Sequence, residues 1–364
     1  MRWSWKLGTF AGIGVYMHAT FTLLIVWVVL REWGRSHDLS ATLRSVAFIL
    51  LLFACVVLHE FGHALTARRF GILTRDITLL PIGGVARLER MPDDPMQEFW
   101  VAIAGPAVNM VIAALLFLTL GAAGSLPTLE QLGTPQAPLL GQLMIVNVSL
   151  FLFNLLPAFP MDGGRVLRAL LATRMEYTRA TQVAASIGQA LAFGLGFLGF
   201  FYNHMLMFIA IFVWIGAEQE ASMVQMRSAL GGIPVRSAMV TDFHTLAPRD
   251  TLDRAVELLL AGSQKDFPVM ENGDVRGILT HAKLMSVLAG RESARVEDAM
   301  ETRFQSAEAG DMLDTAFRRL QECECRVIPV LDRGRLTGML TADNVGEFLM
   351  VQAARGRGRG AVRR

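Results

Sequence analysis

Leu58-His59-Glu60-Phe61-Gly62-His63-Ala64-Leu65 is the stretch of this 364-residue chain that most strongly constrains its structure. It continues an apolar segment, residues 45–58, that contains no charged side chain. Ionisable groups at membrane depth are costly, so this cluster predicts a functional site in a membrane-spanning helix. On such a helix His59 and His63 lie four positions apart and project from one face, where two imidazoles can bind one zinc ion.

The residue type between the two histidines suggests chemistry as well as binding. Glu60 follows His59 directly, and its carboxylate can reach a water on the metal and take its proton. Zinc lowers the pKa of a bound water toward about 7, which makes peptide hydrolysis feasible at neutral pH. The structural alternative is a pair of buried histidines bonded to the backbone or to Glu60. The position of the pattern at the end of an apolar span favours zinc.

A catalytic zinc needs a third protein ligand, and residues 153–165 supply a candidate. Asp162 is the only acidic residue within residues 131–175. Pro157 and Pro160 predict a break in the helix just before it. Non-helical backbone at membrane depth is tolerated where it is buried in protein or lines a water-filled cavity. A hydrolase requires such a cavity. The alternative is an aspartate that caps a helix at the membrane surface.

Charged residues are distributed unevenly along the chain. Residues 1–220 hold 27 of the 66 Asp, Glu, Lys and Arg residues, and residues 221–364 hold the other 39. Soluble domains average about 25% charged residues, so only the second stretch has a soluble composition. A single soluble globule, a disordered chain and a disulfide scaffold are excluded. A membrane domain followed by a soluble domain is predicted.

Charge-free windows predict about six transmembrane helices, because about 20 apolar residues cross the hydrocarbon core. Four windows predict one helix each: the second half of residues 7–30, residues 45–58 with the His-Glu-His cluster, residues 99–129 and residues 131–161. The fifth window, residues 180–217, is long enough for two helices with a turn at Asn203-His204. Residues 71–95 are predicted to form short strands around Gly83-Gly84. Lys and Arg fall thirteen to three on one side of the spans, so a multi-pass protein of the cell membrane with both termini in the cytoplasm is expected.

The C-terminal stretch repeats itself at an offset of 61 residues. Identical pairs include Pro268/Pro329, Gly277/Gly338 and Thr280/Thr341. An ungapped repeat of this length predicts two copies of one folded unit. Each copy is predicted to contain a helix (252–261; 313–321), two strands (267–270 and 275–280; 327–331 and 336–341) and a further helix.

Residues 58–65 together with 154–165 resemble the site-two intramembrane zinc metalloproteases, which combine HExxH in one span with an Asn…Pro…Asp-Gly stretch in a later one. Residues 104–109 (Ala-Gly-Pro-Ala-Val-Asn) and 81–84 (Pro-Ile-Gly-Gly) extend the resemblance. The resemblance implies the following roles: His59, His63 and Asp162 bind one zinc ion per chain, Glu60 is the general base, and Asn154 holds the substrate or polarises its carbonyl.

Several polar residues near these motifs have alternative roles. Taken alone, Asn154 could equally form a helix–helix hydrogen bond. His18 is predicted on the first span, where a structural hydrogen bond is favoured over a fourth zinc contact. Asn109 is assigned to helix packing and His204 to a turn. In the resembling family residues 71–95 form a small sheet beside the active site, whose edge can pair with an unwound substrate.

The two repeats resemble cystathionine-β-synthase-type (CBS) modules, predicted at residues 235–290 and 295–350. Such pairs commonly form a cleft for adenine nucleotides, so the resemblance allows a nucleotide ligand. It also allows a purely structural role or a homodimer formed through these modules. The position three residues after the repeated threonine, often Asp in nucleotide-binding modules, is Lys283 in one copy and Asn344 in the other. Asn can hydrogen-bond a hydroxyl, whereas Lys would meet phosphate.

The sequence therefore predicts an α-helical polytopic membrane domain with a small β hairpin or sheet (1–220), a linker (221–234), an α/β tandem CBS domain and a basic disordered tail (351–364). The resemblance implies a zinc-dependent intramembrane endopeptidase that cuts transmembrane segments of other proteins and releases membrane-held factors. Its expected partners are a transmembrane substrate and the lipid bilayer, not nucleic acid. The alternatives are a CBS-gated ion transporter or channel and a catalytically silent membrane scaffold.

Overall fold

The computed structural model describes residues 3–81, 83–89, 92, 94–126, 138–290, 295–323 and 327–361. The chain divides into two compact units, Met1–Val224 and Gln225–Arg364. The first unit contains long apolar helices and a four-stranded sheet. The second contains two smaller sheets and short helices.

The sheet of the first unit has the order β1-β2-β3-β4. Its strands are β1 (Ser4–Phe10), β2 (Ile13–His18), β3 (Thr74–Leu80) and β4 (Gly83–Leu88). Ala11 and Gly12 connect β1 to β2 with φ angles of 50° and 81°, both in the left-handed region that a tight primed hairpin turn requires. β2 pairs with β3 in parallel and β3 with β4 antiparallel, so β4 lies at an edge of the sheet.

The strands predicted within residues 71–95 are confirmed as β3 and β4, while Ile82 lies outside the described residues. The hairpin β1–β2 was not predicted, because a short apolar run that leads into a helix does not show which element it forms. The placement of His18 on the first span was wrong. His18 ends β2 and caps the helix α1 (Ala19–Ser36), where its Nδ1 accepts from the Thr20 backbone N–H over 3.3 Å.

Six more helices follow along the chain, and the last of them continues past the boundary between the units at Val224: α2 (Leu39–Arg69), α3 (Pro95–Ala122), α4 (Leu139–Asn154), α5 (Asp162–Ala172), α6 (Tyr177–Phe201) and α7 (His204–Leu230). Within the described residues, α2, α3, α6 and α7 are long and apolar enough to cross a membrane. α4 has 16 residues, and α1 has 18 with three charged side chains, so the count of six spans remains a prediction. The predicted turn near Asn203 is confirmed. The end of the predicted third span (99–129) and the start of the predicted fourth (131–161) fall within residues 127–137, which lie outside the described residues.

α2 and α3 pack closely where α2 carries the His-Glu-His cluster. Gly62 makes this approach possible, because a Cβ there would lie 2.7 Å from the Ala104 carbonyl oxygen. α2 begins at the cap Asp38, whose carboxylate accepts from the Ser40 N–H over 2.8 Å. Small residues at such contacts are typical of helices that associate in lipid, where apolar burial offers little driving force.

The second unit contains two similar halves. The first half comprises a 3₁₀ turn (Val235–Ser237), α8 (Leu252–Ala261), β5 (Phe267–Glu271), β6 (Asp274–Leu279) and α9 (His281–Ala289). The second comprises α10 (Val296–Ala299), β7 (Ala307–Glu308), α11 (Leu313–Glu322), β8 (Val327–Asp332), β9 (Arg335–Thr341) and α12 (Ala342–Ala361). The predicted helix–strand–strand–helix order is confirmed in both. Leu252 and Leu313, 61 residues apart, are both buried in their cores.

Two predicted irregular segments are helical. α7 extends to Leu230 and covers most of the predicted linker at residues 221–234, because Ala, Met, Gln and Arg there favour helix until Gly231-Gly232. α12 extends to Ala361 through most of the tail predicted to be disordered, where the arginines favour a helix and the glycines that alternate with them disfavour it. Residues 362–364 lie outside the described residues.

Candidate active site

The two histidines of the His-Glu-His cluster are buried and adjacent. His59 and His63 are each 7% exposed on α2, and their Nε2 atoms lie 3.0 Å apart. The helical spacing of four residues brings both rings to one face, as the sequence predicts. Both Nε2 atoms therefore point into one small space.

Asp162 brings a carboxylate to the same space from a distant part of the chain. It is the first residue of α5, after the non-helical segment that contains Pro157 and Pro160, and it is buried. Its Oδ2 lies 3.3 Å from His59 Nε2 and 3.2 Å from His63 Nε2. These three residues form the one cluster of three or more potential metal ligands found within the described part of the chain.

α3 holds both imidazoles from the opposite side. His63 Nδ1 donates to the Val101 carbonyl oxygen over 2.7 Å, and His59 Nδ1 lies 2.5 Å from Asn109 Oδ1. Gly105 lies between these two contacts. A Cβ at Gly105 would lie 2.2 Å from His63 Nε2 and 2.7 Å from His59 Nε2. Only glycine therefore leaves the space in front of the two rings open.

Asn109 packs helices together, as predicted, and it also contacts a proposed metal ligand, which was not predicted. It is fully buried against His59 and also donates from Nδ2 to Asn147 Oδ1 of α4 over 2.9 Å. Asn147 is likewise fully buried. The sequence does show an amide side chain, Asn109 or Asn147, in each of two charge-free spans. An isolated polar residue does not show which other residue it will contact.

The donor set fits a cation. Because the Val101 carbonyl only accepts, His63 carries its proton on Nδ1 when neutral and presents a lone pair at Nε2. With Asn109 Oδ1 on His59 Nδ1, the same holds for His59. Zinc bonds of about 2.0–2.1 Å in tetrahedral geometry place ligand atoms about 3.3 Å apart, close to the 3.0–3.3 Å separations among these three atoms. His59 Nε2, His63 Nε2 and Asp162 Oδ2 are thus three acceptor atoms with no hydrogen-bond donor among them. A bound metal ion would stabilise this arrangement.

Glu60 lies beside this cluster and against the edge strand of the sheet. A Cβ at Gly84 of β4 would lie 2.8 Å from Glu60 Cγ and 3.3 Å from Glu60 Oε1. The absence of a side chain at Gly84 therefore admits the glutamate between α2 and β4. This contact joins the predicted base to the predicted substrate strand.

A cross-strand ion pair holds β3 and β4 in register near this contact. Arg87 donates from Nε to Asp76 Oδ1 over 2.8 Å, and its NH2 group donates to the other carboxylate oxygen. The hydrogen bonds that Arg87 donates to the Asp76 carboxylate raise the pKa of Arg87 above its ordinary value. The guanidinium is therefore charged at all physiological pH values.

A buried arginine braces the helix that carries Asp162. Arg168 of α5 donates from Nε to Glu98 of α3 over 2.8 Å and from NH1 to Glu220 of α7 over 2.5 Å. Its guanidinium carbon also lies 4.9 Å from the Phe159 ring centroid and 5.1 Å from that of Tyr177. From the sequence alone, Arg168 contributed only to the bias of Lys and Arg toward one side of the spans.

Asn154, the remaining predicted site residue, is the last residue of α4 and half-buried. It lies eight residues before Asp162 in the chain. Its role in substrate binding stays a prediction.

Comparisons with known proteins identify the family to which the chain is similar. The profile of peptidase family M50 matches residues 47–135 and 133–195, and the CBS domain profile matches residues 235–290 and 296–350. A zinc metalloprotease of Methanocaldococcus jannaschii, MJ0392, is 32% identical over 346 residues, which cover 95% of this chain and 96% of that protein. Rip3 of Mycobacterium tuberculosis is 31% identical over 80% of this chain and 78% of its own length. The solved site-2 protease from M. jannaschii is 36% identical, with a TM-score of 0.44, over 60% of this chain and 95% of that chain.

Proposed function

The chain belongs to peptidase family M50, and from that premise we propose that it is an intramembrane endopeptidase that cleaves transmembrane segments of other proteins. As a family member it is a zinc metalloprotease with a CBS pair. The observation that carries the proposal is the convergence of His59 Nε2, His63 Nε2 and Asp162 Oδ2 in a buried space bordered by apolar helices. These three residues are the proposed zinc ligands, and zinc would supply a Lewis acid that polarises the scissile carbonyl and acidifies water.

Glu60 is the proposed general base and acid. Its carboxylate takes a proton from the water that attacks the scissile carbonyl carbon, and returns that proton to the amide nitrogen as the C–N bond breaks. Glu60 adjoins His59 in sequence and approaches Gly84, so a peptide beside β4 would lie within its reach. Asn154 is proposed to bind or polarise the substrate carbonyl.

The edge strand β4 is the proposed binding surface for the substrate backbone. A helix cannot be hydrolysed until its backbone is unwound, and the unwound stretch then needs partners for its N–H and C=O groups. Among the residues that the structure describes, β4 has a strand neighbour only on the β3 side, so its other edge can pair with an extended peptide. Gly83 at its start has no side chain, and no atom of the described part of the chain beyond its chain neighbours lies within 4 Å of the position that a Cβ would take, so a peptide can approach the backbone closely there.

The experiment that tests the proposal is cleavage of single-span reporter proteins by the full chain, with zinc content measured in parallel. We expect Glu60→Gln to lower cleavage about 10²–10⁴-fold, as removal of a general base does, while zinc is retained. Glu32→Gln, which changes a carboxylate on α1, is the matched control and should cleave normally. Wild-type protein that binds no zinc would refute the metal site and favour the ion-transporter alternative.

We further propose that the CBS pair binds an adenine nucleotide on the cytoplasmic side and regulates cleavage. The equivalent residues Lys283 and Asn344 each donate a backbone N–H to a capping threonine, Thr280 or Thr341, at the start of a helix. Lys283 is exposed and suits a phosphate, whereas Asn344 suits a ribose hydroxyl. Calorimetric titration of the full chain with AMP and ATP tests this. Asn344→Ala should weaken both nucleotides, and Lys283→Ala should weaken ATP more than AMP.

A further inference from the structure

A buried chain of hydrogen bonds leads from the backbone of α4 to one of the proposed zinc ligands. Asn147 Nδ2 donates to the Leu143 carbonyl oxygen over 2.8 Å, and Asn109 Nδ2 donates to Asn147 Oδ1 over 2.9 Å. Asn109 Oδ1 then meets His59 Nδ1 at 2.5 Å. Both asparagines are 0% exposed, so neither has solvent as an alternative partner.

The direction of this chain is fixed by its first member. A main-chain carbonyl can only accept, so Asn147 must turn its NH₂ group toward Leu143 and its oxygen toward Asn109. Asn109 must then present its own NH₂ to Asn147 and its oxygen to His59. His59 is left to donate from Nδ1, and its Nε2 keeps the lone pair. The Leu143 carbonyl thus selects, through two amides, which ring nitrogen of His59 is free for a metal.

We propose that Asn147 is a positioning residue for the metal centre, acting through Asn109 to hold His59 in the tautomer with the proton on Nδ1. Without Asn147 the Asn109 amide can rotate and present NH₂ to His59. The imidazole proton would then move to Nε2, between the ring and Asp162. His63 does not depend on this relay, because the Val101 carbonyl sets its tautomer directly. The inference rests on the zinc site proposed above.

The test is a double-mutant cycle with Asn147→Leu and Asn109→Asp in the full-length chain. A carboxylate at position 109 has two equivalent acceptor oxygens, so its orientation no longer needs Asn147. We expect Asn147→Leu alone to weaken zinc binding about 10–100-fold, the usual effect of losing a partner of a metal-bound histidine. In the Asn109→Asp background the same change should weaken zinc binding less than about threefold. Zinc affinity is measured by competition with a chromophoric chelator.

The matched control is Thr181→Val, which removes another fully buried polar group from the first unit without touching the relay. Equal losses of zinc affinity from Asn147→Leu in both backgrounds would mean that Asn147 only packs the helices, and would overturn the proposal. ¹⁵N NMR of labelled histidines in the zinc-free protein gives a second readout. A His59 signal that moves to the Nε2–H form in Asn147→Leu supports the relay, and an unchanged tautomer overturns it. Absence of zinc binding by the wild type would refute the proposed function, and the tautomer measurement would then decide the relay alone.

Discussion

The two units bury different kinds of side chain. Among the described residues, the first unit buries eleven polar or charged side chains, whereas the second unit buries only that of Thr280. The eleven are Thr42, His59, His63, Asp76, Thr78, Glu98, Asn109, Asn147, Asp162, Arg168 and Thr181. The core of the second unit consists mainly of aliphatic and aromatic side chains such as Leu252, Phe267, Leu313 and Ile328. Polar contacts therefore help to stabilise the interior of the first unit, whereas the interior of the second unit is stabilised mainly by apolar burial.

The surroundings of each unit account for this difference. A soluble domain gains stability by removing apolar side chains from water. A helix in lipid gains nothing of that kind, so its contacts depend on small residues, close packing and polar pairs. The first unit accordingly leaves large side chains such as Phe193 and Phe200 more than two-thirds exposed and buries alanines instead. Its polar interior is therefore available for chemistry.

The strongest test of the polar interior is Gly105→Ala. The new methyl group would lie 2.2 Å from His63 Nε2 and 2.7 Å from His59 Nε2, so both imidazoles must leave their present positions. We expect zinc affinity to fall about 100-fold or more, the upper range for disturbed metal surroundings, and cleavage to be lost. Gly121→Ala, on the same helix with its nearest neighbour at 3.7 Å, should bind zinc normally. Normal zinc affinity in both variants would show that the site tolerates a side chain on α3.

The buried ion pairs provide the next largest effect. Arg168→Met leaves Glu98 and Glu220 without their shared cation, and removal of one partner from a buried pair costs about 3–5 kcal/mol. We expect this loss in the free energy of unfolding of the full chain in detergent. The exposed pair Arg254–Glu257 in the second unit is the comparison, where Arg254→Met should cost less than about 1 kcal/mol. Similar losses would contradict the contrast between the units.

The apolar core of the second unit is tested by Leu313→Ala. Leu313 is fully buried, and truncation of such a side chain costs about 2–5 kcal/mol. The expected loss is in the unfolding transition of the second unit, followed by differential scanning calorimetry. Phe193→Ala in the first unit removes a larger side chain that is 73% exposed and should leave that unit's transition nearly unchanged. A larger effect from Phe193→Ala would mean that α6 packs against more than lipid.

The smallest expected effect concerns the helix caps of the repeat. Thr280 accepts from the Lys283 N–H at the start of α9, and Thr280→Ala should cost about 1 kcal/mol, as loss of a capping hydroxyl usually does. Thr280→Ser keeps the hydroxyl and should lose less than half as much. Chemical denaturation of the full chain measures both. Equal losses in the two variants would indicate that the buried methyl group matters, not the cap.

Elements with a strong local pattern were predictable from the sequence. The repeat at 61 residues predicted the helix–strand–strand–helix order of both halves of the second unit, since identical residues recur at the same offset, whereas the short elements Val235–Ser237, α10 and β7 were not predicted. The spacing in His59-Glu60-Phe61-Gly62-His63 predicted two rings on one face of a helix, and the structure places them so. The hairpin β1–β2 was missed because short apolar runs look alike in strands and helices.

Long-range partners were not predictable from the residues alone. Asn109 and Asn147 are single amides in apolar spans, and nothing local shows that they meet each other and His59. Arg168 looked like a loop cation because its partners Glu98 and Glu220 lie 70 and 52 residues away. Gly105 belongs to the stretch 104–109 that extends the family resemblance, but nothing in the sequence showed that it faces both imidazoles.

The sequence by itself determined the division into an apolar and a soluble half, the duplicated soluble module and the residue types of the metal site. Those features depend on composition and on spacing along one helix or one repeat, which are local properties of the chain. The tertiary structure alone decided that Asp162 meets the two histidines, that Glu60 lies against Gly84, and that α3 and α4 orient His59. Each of these depends on the packing of helices from distant parts of the chain, where a single hydrogen bond or missing Cβ sets which atoms can meet.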